Sequence, residues 1–194
     1  MAMLHCVIGE FPLLRESCRS AAWSSAVFGA TSVPKASTLP DKGPVSMTIQ
    51  VYLSGEIHTD WREQIVAGAE GLDVAFDGPV TDHAASDDCG VAILGAEDNK
   101  YWHDHKGAMV NAIRTRKGIA DADVVVVRFG EKYKQWNAAF DAGYAAALGK
   151  SLIILHGSDH AHALKEVDAA ALAVCEAPQQ VVKILRYVLT GKLP

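Results

Sequence analysis

The chain has 194 residues, with 18 basic against 23 acidic side chains and a net charge of −5 at pH 7. That length suits one well-cored domain, and 49% hydrophobic content excludes a disordered polymer, a collagen-like repeat or a minimal stapled scaffold. The acidic balance argues against nucleic acid as a partner. No apolar run approaches the roughly 18–20 residues of a membrane span. Four scattered cysteines without a CxxC pair (Cys6, Cys18, Cys89, Cys175) read as the reduced thiols of a cytoplasmic protein.

Residues 1–46 differ in texture from the rest of the chain. They are serine-rich, and their short apolar pieces are broken by Ser, Pro and Gly before any periodicity is established. The opening lacks the Lys or Arg of a secretory signal, and Glu10 interrupts it early. The expectation is a disordered extension or an over-long gene start, with an organelle transit peptide as the other reading and Met47 as the natural beginning of the domain.

From Met47 the elements alternate. Ile49, Val51 and Leu53 mark a first strand ending at Ser54-Gly55. Asp60–Glu70 read as a helix with Trp61, Ile65 and Ala69 on one face, capped by Thr59 or Asp60 and closed by Gly71. Val74–Phe76 form a second strand. The 26 residues Gly78–His103 carry no convincing element but many hydrogen-bonding groups, among them Asp82, His83, Asp87 and Asp88, and read as a substrate-covering loop. Asp104–Ile119 form a helix. Val124–Phe129 are too uniformly β-branched for a half-exposed strand and point to a central parallel strand buried on both faces. Trp136–Leu148 form a third helix, Leu152–Leu155 a fourth strand, and Leu172–Cys175 with Gln179–Leu189 a last strand and helix.

Five βα units predict a single flavodoxin-like doubly wound α/β domain over residues 47–194. Its five-stranded parallel sheet has order 2-1-3-4-5, with helices on both faces. Ligands of such sheets bind beyond the carboxyl ends of strands 1 and 3, which places Ser54–Asp60, Gly130–Asn137 and Gly78–His103 around the site.

The helix after the third strand carries the sharpest chemical signal. With Asn137 as its cap, Asp141 falls in the first turns, where the positive end of the macrodipole keeps a carboxylate ionised as a nucleophile requires. The plainer reading is that Asp141 satisfies the helix end or pairs with Lys150 or Arg128. Phe140, Gly143 and Ala147 share another face, with Gly143 expected to allow close approach to the sheet.

Val51-Tyr52-Leu53-Ser54-Gly55, Ala122-Asp123-Val124-Val125-Val126 and Phe140-Asp141-Ala142-Gly143-Tyr144-Ala145 through Leu148-Gly149-Lys150 resemble the nucleoside 2-deoxyribosyltransferase superfamily. Tyr52 through Trp61, Thr81-Asp82-His83, Arg114-Thr115 and Tyr133-Lys134-Gln135-Trp136-Asn137 look like its YtoQ branch. The resemblance spans nearly all of Met47–Leu189 and none of residues 1–46.

The resemblance implies that Asp141 stands where the superfamily has a glutamate that attacks C1′ of a deoxyribose, and that Tyr52 orients it through its hydroxyl. A second base or water then displaces the sugar from the carboxylate. Two departures are visible: the acid is one methylene shorter, and Asn137-Ala138 replaces a Gly-Thr pair. An acidic residue common on the preceding helix is here Thr115, between Arg114 and Arg116, whose charges would suit a phosphate.

The expected catalytic residues are thus Asp141 and Tyr52. The expected substrate contacts are Ser54, Gly55, His58, Asp82, His83, Asp87, Arg114, Gly130, Trp136 and Asn137, with Trp136 and Trp102 able to stack on a base. The partner is a nucleoside or nucleotide-like small molecule, and the superfamily's habit implies a homo-oligomer. No cofactor and no metal are expected. The rival reading draws ligands for a hydrolytic metal from His83 with Asp82, Asp87 and Asp88, and from His103-Asp104-His105, although no pair has metal-ligand spacing. A non-catalytic sensor of nucleotide-like ligands is the alternative outside enzymology.

Overall fold

The computed structural model describes residues 48–132 and 135–193, leaving aside the side chain of His83. The expected N-terminal extension, and Tyr133-Lys134, lie outside the described residues.

β1 (Ile49–Gly55), β2 (Val74–Asp77), β3 (Val124–Phe129), β4 (Ser151–His156) and β5 (Ala173–Cys175) form one parallel sheet of order β2-β1-β3-β4-β5. In the central pair, Val51 lies opposite Val124 and Gly55 opposite Arg128. Strand alternation sends side chains to two separate cores. Val51, Leu53, Val124 and Val126 pack with Trp61 and Ile65 of α1 (Trp61–Gly68) and with Val181, Val182 and Leu185 of α6 (Pro178–Thr190). Tyr52, Val125, Val127 and Phe129 face the opposite way. They meet Ile119 of α3 (Lys100–Asp121) and Ala138, Ala142 and Ala145 of α4 (Trp136–Ala147). Both faces of β3 are therefore dry, which is what its unbroken β-branched run implies.

Three local readings of the sequence are corrected. Gly78–His103 is no open loop: α2 (His83–Leu94) fills its middle, and α3 starts at Lys100. Asp82 caps α2 by accepting the Ala85 N–H at 2.8 Å, and Asn99 caps α3 through the Tyr101 N–H at 2.9 Å. The two helices cross at a glycine pair, since a Cβ on Gly90 would stand 2.2 Å from the Gly107 nitrogen and one on Gly107 would stand 2.7 Å from the Asp87 carbonyl oxygen. Second, Asn137 does not cap α4. Gln135 holds that position, and its Oε1 instead accepts the Gly130 N–H at 2.8 Å. Third, the Phe140–Gly143–Ala147 face looks outward: Phe140 is exposed and nothing lies within 4 Å of a Cβ on Gly143. The alanine face of α4 packs on the sheet instead. A short helix α5 (Lys165–Ala169) precedes β5, where the sequence pattern marks no element.

Candidate active site

Parallel strands end at a rim where consecutive crossovers leave toward opposite faces. Here α1 follows β1 onto one face and α4 follows β3 onto the other, so a crevice opens between their loops. A cavity of about 530 Å³ fills it, walled by Ser54–His58 at the end of β1 and just beyond, by α2 and α3, and by the first turns of α4.

Eight residues expected at the site line this cavity: Ser54, Gly55, His58, Asp87, Arg114, Trp136, Asn137 and Asp141. They come from β1, α2, α3 and α4 and from the loop after β1. Tyr52, Asp82 and Gly130 do not line it, and the His83 side chain lies outside the described residues. Asp82 is exposed and engaged in capping α2. Gly130 sits behind the wall, where a Cβ would press to 2.7 Å from Glu56 Cγ.

The carboxylate of Asp141 meets Ser54, whose hydroxyl donates to Asp141 Oδ2 at 2.5 Å. Ser54 and Tyr52 share a face of β1, but Ser54 lies one pleat nearer the rim, where α4 crosses. The expected bond from Tyr52 is accordingly not made. The Tyr52 hydroxyl is buried and has no hydrogen-bond partner among the described residues. Burial pushes its pKa up, the nearby Thr115 side chain opposes that, and the Asp141 charge adds to it. Tyr52 instead borders a groove of about 360 Å³ with Asp77, Arg114, Lys117 and Asp121.

Burial also raises the pKa of Asp141, with the Ser54 bond pulling the other way. The lowering expected from the helix dipole does not prevail. α4 begins at Trp136, so Asp141 lies beyond the first turn, where the dipole fades.

Sequence reasoning missed the group that builds the first wall. Glu56 is only 6% exposed. Its Oε2 accepts the N–H groups of His58 at 2.7 Å and Thr59 at 3.2 Å, and its Oε1 accepts the Thr59 hydroxyl. Burial pushes the Glu56 pKa up, but the Thr59 hydroxyl, the two N–H donors and the Arg128 charge outweigh it, leaving the group below its ordinary value. Arg62 ties down the backbone from the other side, donating to Leu53 O at 3.0 Å, Glu56 O at 2.6 Å and Gly55 O at 3.1 Å. Trp61 Nε1 adds a fourth bond, to Glu56 O at 3.0 Å. Gly55 turns the chain there with φ of +107°, and a Cβ would fall 2.1 Å from the Arg128 carbonyl oxygen. A Glu and an Arg flanking the end of an apolar strand were the available signal.

Both arginines read as phosphate ligands line the cavity and have contacts of their own. Arg114 reaches Asp77 and the Gly78 carbonyl, each at 3.2 Å, and Arg116 lies 5.9 Å over the Phe140 ring. Among the described residues, which leave out the His83 side chain, no three His, Cys, Asp or Glu side chains are placed to hold an ion. His103 pairs with Asp88 at 3.2 Å and lies 3.5 Å from Asp104. Among the described residues, no helix is long and apolar enough to cross a membrane.

A doubly wound α/β domain with a half-buried carboxylate at its switch point defines the class. Residues 52–189 match the family described as nucleoside 2-deoxyribosyltransferase YtoQ. The chain is 43% identical over 143 residues to the uncharacterized protein YtoQ of Bacillus subtilis (strain 168), an alignment covering 73% of this chain and 97% of that one. It also aligns with a solved 2-deoxyribosyltransferase from the psychrotolerant Bacillus psychrosaccharolyticus at 13% identity and a TM-score of 0.45, covering 69% of this chain and 90% of that chain. The chain belongs to the YtoQ family of nucleoside 2-deoxyribosyltransferase-like proteins.

Proposed function

We propose that the protein cleaves or transfers at the N-glycosidic bond of a nucleoside or nucleotide, with the Asp141 carboxylate as nucleophile and residues 47–194 as the working unit. Attack on C1′ forms a glycosyl ester as the base departs. Water or a second base then releases the sugar, so one hard displacement becomes two easier ones. The single observation carrying this reading is the position of Asp141, half-buried beside Ser54 and open to a cavity of about 530 Å³ at the sheet's rim. Family membership supports the substrate class. An aspartate reaches about 1 Å less far than a glutamate, a displacement that can cost roughly a hundredfold in rate unless the backbone compensates. Tyr52 contributes to this site as a buried neighbour of Asp141 rather than as its hydrogen-bond donor. We further propose a cytoplasmic homo-oligomer, a state that sedimentation would establish.

The test is incubation with a panel of nucleosides and nucleotides, followed by chromatography for released base. Turnover that disappears in Asp141→Ala, with folding retained, supports the enzyme. Tight binding without turnover assigns the protein to the sensor class instead.

A further inference from the structure

Breaking an N-glycosidic bond puts an electron pair on a base nitrogen, and the base leaves readily only if that nitrogen gains a proton. The charged groups lining the cavity besides Asp141 are Glu56, Asp87, Asp104, Arg114 and Arg116. Asp141 is occupied in attack, and both Glu56 oxygens are committed to the loop. A guanidinium does not surrender a proton in proteins, and Asp104 stands by His103. Among the described residues, Asp87 and His58 remain on the cavity wall, and of the two imidazole is the side chain built to exchange protons near neutrality.

The loop that carries His58 is braced to an unusual degree. Arg62 and Trp61 together hold the carbonyls of Leu53, Gly55 and Glu56, and Glu56 holds the His58 N–H itself at 2.7 Å. The bracing fixes the backbone from which the exposed His58 side chain borders the cavity.

Resting on the function proposed above, we propose that His58 is the acid that protonates the leaving base. In the first step a bond forms between an Asp141 carboxylate oxygen and C1′ while the C1′–N bond breaks, its electron pair going to the base nitrogen, which takes the His58 proton. In the second step the attacking water or base gives its proton to His58 as it bonds to C1′, and the ester oxygen leaves as the Asp141 carboxylate.

The test compares two substrates in the full-length protein, a 2′-deoxynucleoside and 4-nitrophenyl 2-deoxyriboside, whose phenolate departs without a proton. His58→Gln keeps the backbone bond to Glu56, so the loop is retained. It is expected to lower kcat/KM on the nucleoside about a hundredfold and to leave kcat/KM on the nitrophenyl substrate, which reports the first step alone, at the wild-type level. Asp141→Asn is expected to remove activity on both. Equal losses on the two substrates in His58→Gln, no loss on either, or the same leaving-group pattern in Asp87→Asn would overturn the assignment. A wild-type protein inert on both substrates overturns the proposed function, and the role of His58 with it.

Discussion

At Asp141 two demands oppose each other: a nucleophile must be ionised, yet an ionised carboxylate away from water costs stability. Its folded pKa is raised, mainly by burial. Stability associated with this group is therefore fully present below the unfolded-state pKa and is lost as pH rises through the folded one. Asp141→Asn should abolish activity while raising the melting temperature at neutral pH by a few degrees, the gain vanishing in acid. Thermal melts across pH check the sign. Ser54→Ala removes the hydroxyl that donates to this carboxylate, so the acid limb of the pH–rate profile should move to higher pH and the rate should fall about tenfold. For Glu56 the direction is reversed. Its folded pKa is lowered, so its contribution is present above the unfolded value and is lost as pH falls through the folded one. Glu56→Gln should destabilise by about 2 kcal/mol at neutral pH, because Arg128 loses the opposing charge; denaturant titration measures it. Asp141 was legible as a candidate from its helix and its family pattern. Its partner was not, because Ser54 and Asp141 lie 87 residues apart and only the sheet register brings them together. Tyr52 lies one pleat further from the rim than Ser54, on the same face of β1.

Among the elements, the βα pairs that touch the sheet were readable and α2 was not. Its stretch His83–Leu94 lacks an apolar stripe, places Asp87 and Asp88 together, and leaves Ile93 and Leu94 exposed at 66% and 55%. It leans on α3 rather than on the sheet. A cap at Asp82, the Asn111 side chain donating to the Ser86 carbonyl at 2.9 Å, and the Gly90–Gly107 crossing seat it there. None of these shows in periodicity. Glycine substitutions separate context from propensity. Inside a helix, Gly→Ala ordinarily stabilises by up to about 1 kcal/mol, and Gly143→Ala on the open face of α4 should do so. Gly90→Ala should destabilise by about 1–3 kcal/mol instead, because the two helices must part to admit the methyl group. Opposite shifts in melting temperature are the expected result, with weakened ligand binding only for Gly90→Ala, since that crossing forms one wall of the cavity.

For the whole molecule, strand order was legible because each strand from Met47 onward is followed by a helix, and right-handed crossovers leave few ways to arrange five such units. The same rule places the cavity: loops after β1 and β3 diverge to opposite faces, and the gap between them is lined by segments that are distant in the chain. Fold topology thus predicts the site's location, while the identities of its braces, Glu56 and Arg62, emerge only from three-dimensional contacts. The central claim is a covalent one, and intact-mass spectrometry of acid-quenched protein incubated with a cleavable 2′-deoxynucleoside tests it most directly. The account predicts a single deoxyribosyl adduct that peptide mapping places on Asp141 and that is missing in Asp141→Asn. Base release without any adduct, or an adduct that persists in Asp141→Asn, would contradict it.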